Sequence, residues 1–214
     1  MNIEDLHTVN PYLNFPIGLY PEPIIAGWHS DSAVFERLIM EVRPKLIIEV
    51  GTWLGASAIT MARAAEKYGL DCKILCVDTW LGALEFWGNK NDAERYLRLR
   101  LENGYPTVYK QFMANVIHEG LQRHIIPFPQ TSVIAARWLS ARGVAADMVY
   151  IDASHDYEDV LADIESYSGI VRPGGVMFGD DFGGIRGVTD AVHEWCHKHD
   201  KTAAPHAEKW VVRM

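Results

Sequence analysis

Apolar residues recur along the chain at two spacings. From Asp31 onward, Val34, Phe35, Leu38, Ile39 and Val42 fall at three- and four-residue intervals, the period of one helix face, and Arg43-Pro44 ends the run. Residues 45–50 form a short apolar block of strand length. A glycine-bearing turn over 51–55 and an alanine-rich helix over 56–68, closed by Gly69, follow. The alternation then repeats, with strands over 73–78, 125–128, 148–152 and 176–179, helices over 132–142, 157–170 and 188–199, and a last strand over 210–213. Apolar strands separated by helices of this length predict right-handed crossovers. The expected architecture is α/β: Rossmann-like, doubly wound, with a mostly parallel sheet and helices on both faces.

Two segments break the rhythm. Residues 1–30 set Pro11, Pro16, Pro21 and Pro23 among aromatics, which predicts an extended N-terminal arm. Between Thr79 and His124, two helical patterns over 92–102 and 106–119 flank Asn103-Gly104, where one crossover helix would suffice. The excess, about 80–123, predicts a helical lid or specificity insertion inside a single domain over 31–214.

Composition narrows the function. The 214 residues are 49% hydrophobic and 22% charged, which excludes a disordered chain. Twenty Lys and Arg against 28 Asp and Glu leave a net charge of −8, the opposite of the basic footprint of a nucleic-acid binder. The first residues carry neither a basic nor an apolar targeting stretch, and no apolar run reaches the length of a membrane span. A cytoplasmic protein with no membrane partner is expected. Cys72 and Cys76 lie about 13 Å apart along a strand, too far for a disulfide, and read as small core residues.

In an open parallel sheet, ligands bind beyond the carboxyl ends of the strands. The first strand runs into Glu49-Val50-Gly51-Thr52-Trp53-Leu54-Gly55-Ala56-Ser57. A dinucleotide site would need a second glycine two residues after the first, for pyrophosphate to approach; Trp53 stands there. E-x-G-x-x-x-G suits a ligand without pyrophosphate. The second strand ends at Asp78-Thr79, placing a carboxylate where ribose hydroxyls can donate to it. After the third strand, Thr131 and Ser132 either cap a helix or address an adenine edge. Together with the turn at Pro173-Gly174-Gly175, this ordered set resembles the class I S-adenosylmethionine-dependent methyltransferases. That resemblance implies a seven-stranded sheet. It also implies a cofactor site at Glu49, Gly51, Thr52, Trp53, Gly55, Ser57, Asp78, Thr79, Thr131, Ser132 and Asp152.

The fourth strand ends in Ile151-Asp152-Ala153-Ser154-His155-Asp156-Tyr157, and the fifth in Gly179-Asp180-Asp181. If these strands are neighbours, Asp152, Asp180 and Asp181 converge. Three carboxylates that close repel unless a cation neutralises them, and hard oxygen ligands suit Mg²⁺, or Mn²⁺ or Ca²⁺. A strand-end aspartate is otherwise an ordinary turn former. I-D-A-S-H-x-Y followed by P-G-G-x-x-x-x-D-D resembles the metal-dependent O-methyltransferases of macrolide sugars and their cephalosporin-biosynthesis relatives. This implies a magnesium ion held by Asp152, Asp180 and Asp181, with His155 as general base. Ala153 departs from the usual glycine of that motif.

The expected activity is S-adenosylmethionine- and divalent-metal-dependent methylation of a hydroxyl on a small sugar, diol or phenolic natural product; a homo-oligomer is compatible with it. The alternatives are a metal-dependent hydroxylase of the cephalosporin type and a non-catalytic adenosyl-binding module. Trp28, His29, Trp80, Phe86 and Trp87 either wall the acceptor pocket or pack in the core.

Overall fold

A computed structural model describes residues 1–88, 90–92 and 95–214. In chain order its elements are α1 (Ala33–Val42), β1 (Leu46–Val50), α2 (Ala56–Lys67), β2 (Lys73–Asp78), the short α3 (Leu84–Gly88), β3 (Leu101–Glu102) and β4 (Tyr105–Pro106). They continue with α4 (Thr107–His118), β5 (Ile125–Pro129), α5 (Ser132–Ala141), β6 (Ala146–Ile151), α6 (Tyr157–Ser168), β7 (Val171–Gly179), α7 (Arg186–Lys198), β8 (Ala204–His206) and β9 (Lys209–Arg213).

Seven strands form one sheet in the order β5-β2-β1-β6-β7-β9-β8. The first five run parallel, and β9 pairs antiparallel with both β7 and β8. Side chains alternate between two apolar layers, as a period of two requires. Ile47, Ile74, Cys76, Met148, Tyr150, Val176, Phe178 and Val211 face the layer of α1, α2 and α4. Ile48, Val50, Leu75, Val77, Val149, Ile151, Met177 and Val212 face that of α5, α6 and α7. The strand order reverses between β1 and β6, which opens a crevice at their carboxyl ends.

Three local features depart from the pattern reading. The helix expected over 92–102 includes residues 93 and 94, which lie outside the described residues; beyond them the chain makes one 3-10 turn over Tyr96–Arg98 and then β3. The reason is legible in retrospect. Of Leu97, Leu99 and Leu101 only Leu99 is buried, so no helix face is formed there, and Asn103-Gly104, both at positive φ (53° and 78°), is a two-residue hairpin turn between β3 and β4. Edge strand β8, Ala-Pro-His, carries no apolar alternation to announce it. Pro173-Gly174-Gly175 does not precede the fifth strand but bulges within β7, whose pairing with β6 jumps from Ala146–Val171 to Met148–Val176.

The first thirty residues contain two 3-10 turns and are tied down at several points. The Tyr12 hydroxyl donates to the Ile125 carbonyl at 2.9 Å. The buried Asn115 side chain of α4 accepts from Ile24 N–H and donates to the carbonyls of Ile24 and Leu54 at 2.8–2.9 Å. That amide holds the arm so that Trp28 and His29 reach the crevice.

Candidate functional site

A cleft of about 510 Å³ lies at the carboxyl ends of β1, β2, β6 and β7. Its floor is the loop after β1. Gly51 has φ +85°, and a Cβ there would sit 2.1 Å from the Asp152 carbonyl oxygen, so only glycine lets β1 and β6 meet at this point. Gly55, at φ +87°, lies against the Phe112 ring behind the loop rather than on the cleft wall.

The loop is held from below by two acids. Asp78 accepts from the backbone N–H groups of Thr52 and Trp53, both at 2.8 Å, and of Trp80 at 2.6 Å. Burial raises its pKa, and these three donors oppose the rise. Asp78 therefore shapes the glycine loop and still borders the cleft with acceptor capacity to spare. Glu49 is fully buried, accepts from the hydroxyls of Thr52 (2.9 Å) and Ser57, and is pushed by burial to a pKa of about 7. Glu49 itself lies outside the cleft lining. Thr52 and Ser57 spend their hydroxyls on it, so what they offer the cleft from this loop is chiefly backbone.

On the far side, Thr79, Thr131 and Ser132 line the cleft. Thr131 caps α5, its hydroxyl accepting from Ile134 N–H at 3.4 Å, so the capping reading describes its side chain. Beside it, Asp163 of α6 is buried at the wall with its pKa raised by burial to about 6.

The strand-end acids do converge, and they bring company. β6 and β7 are neighbours, with Ile151 level with Gly179. Asp181 joins two overlapping ligand sets: His29–Asp180–Asp181 and Asp152–His155–Asp181, the potential ligand atoms within each lying no more than 4.8 Å apart. Asp152 is pushed to a pKa of about 7 by burial and by the charge of Asp180, with Lys209 opposing. Its Oδ2 accepts from the Tyr150 hydroxyl at 2.9 Å. Asp180 is paired at 2.9 Å with the ammonium of Lys209, which is itself buried and within 3.0 Å of the Tyr150 hydroxyl. His155 is clasped from both sides, Nε2 at 2.9 Å from Asp181 and Nδ1 at 3.0 Å from Glu85 of α3. The bond to Asp181 raises the His155 pKa against the opposing effect of burial, and the same bond lowers that of Asp181.

The aromatic residues divide. Trp28, Trp53 and Phe86 form one wall, Trp53 and Phe86 meeting edge to face at 5.1 Å. Trp80 is buried in the core against Tyr109 and Phe112, and Trp87 meets Tyr96 edge to face at 6.1 Å, away from the cleft.

Four participants were not singled out as acid, base or ligand from the chain alone: Lys209, Glu85, Asp163 and the His29 imidazole. Only Lys209 left a signal. It occupies the same face of β9 as Val211 in a strand buried on both faces, and a lysine there demands a buried acid.

Known proteins share this fold. A family model of the methyltransferase domain matches residues 48–182. The O-methyltransferase from Bacillus cereus, solved with S-adenosylhomocysteine, superposes with a TM-score of 0.63 at 14% identity, covering 99% of this chain and 100% of that one. TomG of Streptomyces achromogenes, an O-methyltransferase of tomaymycin synthesis solved with S-adenosylmethionine, gives 0.62 at 15% identity over 100% and 98%. The O-methyltransferase NovP gives 0.62 at 17% identity over 84% and 77%. Among curated sequences, the uncharacterized protein y4gI of Sinorhizobium fredii is 24% identical over 179 residues, 83% of this chain but only 17% of that longer protein. The matched stretch runs from β1 through the glycine loop to the acidic pair, and the chain belongs to the methyltransferase domain family, on the class I S-adenosylmethionine-dependent methyltransferase fold.

Proposed function

We propose that the protein is an S-adenosylmethionine-dependent O-methyltransferase that works with a divalent cation, Mg²⁺ or failing that Mn²⁺ or Ca²⁺, on a hydroxyl of a small sugar, vicinal diol or phenol. The observation that carries the metal is crowded negative charge. Asp152, Asp180 and Asp181 bring three carboxylates to one end of the cleft, where Lys209 and the His155 ring pair with Asp180 and Asp181 while Asp152 is left with its pKa pushed up to about 7, and a divalent ion would relieve that crowding. The donors suit a hard cation: Asp181 lies with Asp180 and His29 in one set and with Asp152 and His155 in the other, so the three aspartates would hold it through oxygen about the shared Asp181. Each set has one histidine and two carboxylates, where iron chemistry would favour two histidines and one carboxylate, and this supports methyl transfer over hydroxylation.

When bound, the cation supplies acidification of a coordinated hydroxyl, and the sulfonium supplies a methyl open to in-line displacement. The chain's own residues do the rest. The Gly51 turn and the Asp78-braced N–H groups shape the cofactor's seat. Both His155 nitrogens face carboxylates, Nδ1 toward Glu85 and Nε2 toward Asp181. With Asp181 engaged as a ligand, Glu85 accepting from Nδ1–H would hold the tautomer whose lone pair is on Nε2, and Nε2 would then take the acceptor's proton. The short α3, which carries Glu85 and Phe86, acts as a lid that excludes water and completes the base, while α4 of the same stretch belongs to the core layer.

Calorimetry with S-adenosylhomocysteine and Mg²⁺ tests the reading. Wild type should bind both, Asp181→Ala should lose Mg²⁺, and His155→Ala should keep both ligands while losing methyl transfer to catechol. Failure of wild type to bind S-adenosylhomocysteine removes the methyltransferase reading, and normal Mg²⁺ binding by Asp181→Ala removes the metal set.

A further inference from the structure

The cleft is acidic at every charged position but one. Asp78, Asp152, Asp159, Asp163, Asp180 and Asp181 line it, and among the described lining residues Arg95 is the single arginine or lysine. Its guanidinium lies over two rings, 4.4 Å from the centroid of Trp28 and 4.9 Å from that of Phe86. Those rings belong to the arm and to α3, with centroids 6.5 Å apart. Stacking fixes the plane of the guanidinium and leaves its N–H edges for hydrogen bonds.

Those edges are poorly served. Asp92 forms a loose ion pair at 3.8 Å from Nη1, beyond hydrogen-bond reach, and the buried Nε has no partner among the described residues. The side chain as a whole is 31% exposed, so the fork is open to the cleft, and a planar fork of N–H groups matches one ligand class best, the carboxylate.

We propose that Arg95 is the carboxylate-binding residue of this cleft, gripping a carboxylate of a bound molecule through its N–H edge while Trp28 and Phe86 hold its plane. The proposal rests on the methyltransferase reading above. Two participants in that reaction bring such a group: the methionyl end of the cofactor, or an acceptor that is a carboxylated diol such as a dihydroxybenzoate. Among acceptors, it selects anionic diols over neutral ones.

The test uses Arg95→Gln and Arg95→Lys, checked by circular dichroism for a native fold, with binding measured by calorimetry in the presence of Mg²⁺. S-adenosylhomocysteine is compared with 5′-methylthioadenosine, which lacks the carboxylate, and 3,4-dihydroxybenzoate with catechol. If the cofactor supplies the carboxylate, Arg95→Gln weakens S-adenosylhomocysteine at least tenfold and leaves methylthioadenosine unchanged. If the acceptor supplies it, the tenfold loss falls on dihydroxybenzoate and spares catechol. Arg95→Lys should recover only part of either loss, because an ammonium cannot make the paired bonds. Equal effects on ligands with and without the carboxylate, or changes below twofold throughout, overturn the proposal. Wild type that binds S-adenosylhomocysteine while Arg95→Gln changes nothing refutes Arg95 alone; wild type that does not bind it refutes the reading beneath.

Discussion

Replacing Lys209 by methionine should destabilise the protein by about 3–5 kcal/mol, the cost of removing one partner from a buried ion pair. The Lys209 side chain is 1% exposed and that of Asp180 is 2% exposed, so neither charge has water to fall back on. The ammonium lies 2.9 Å from Asp180 and over the rings of Phe35 and Tyr150, at 4.8 and 5.0 Å. Methionine keeps the length and the apolar packing of the stem, so the substitution removes charge rather than volume. With a urea dependence of about 1–3 kcal/mol per molar, the unfolding midpoint should fall by at least about 1 M. Asp180→Asn combined with Lys209→Met deletes both charges. That double variant should be more stable than the sum of the single losses by about 2 kcal/mol or more. Mg²⁺ should stabilise Lys209→Met more than wild type, since Asp180 has then lost its own counter-charge. A midpoint shift under about 0.3 M, or single effects that add to within about 0.5 kcal/mol, would show that Lys209 is not the counter-ion of this cluster.

Three further outcomes are expected. Gly51→Ala forces a side chain into φ +85° and onto the Asp152 carbonyl, and should lose S-adenosylhomocysteine binding by calorimetry together with at least about 2 kcal/mol of stability; a variant that binds normally refutes the close approach. Glu49 has its folded pKa raised from 4.5 to about 7, so its stabilising contribution is full below about pH 4.5 and lost as the pH rises through 7. Glu49→Gln should therefore lose about 2–3 kcal/mol less stability than wild type between pH 5 and pH 8 in urea titrations, and parallel pH profiles would contradict this. Glu85→Gln should lower kcat for methyl transfer about tenfold or more, with S-adenosylhomocysteine affinity intact; a change confined to KM would mean that Glu85 does not orient His155.

What could be read from the chain followed from short-range rules. Six strands, the main helices and the carboxyl-terminal placement of Gly51, Asp78, Asp152 and Asp180 all follow from periodicity and from where ligands sit on a parallel sheet. Lys209 escaped because its meaning depends on β9 lying beside β7, a pairing between strands with α7 and β8 between them in the chain. His29 escaped because it reaches the cluster from the irregular arm, and Glu85 because it comes from the five-residue α3, too short for a periodicity to announce. Tyr96 to Leu101 departs from the helical pattern for a different reason: its arginines and leucines fit a helix in composition, but the Asn103-Gly104 turn folds the chain into the β3–β4 hairpin, which leaves room for only one 3-10 turn before it. Trp80 and Trp87, seven residues apart, separated into core and surface because Trp80 donates from its indole to the Trp53 carbonyl at 2.8 Å, a contact fixed by the fold of the glycine loop.

The Asn115 amide has a consequence beyond fastening the arm. One side chain bonds the arm at Ile24 and the glycine loop at Leu54 from a position inside α4. The strip of chain that carries Trp28 and His29 and the glycine loop on the cleft floor are thus knotted to a single rigid point. A shift of either one tugs on the other, so the two ends of the cleft behave as one adjustable mould and not as two independent subsites.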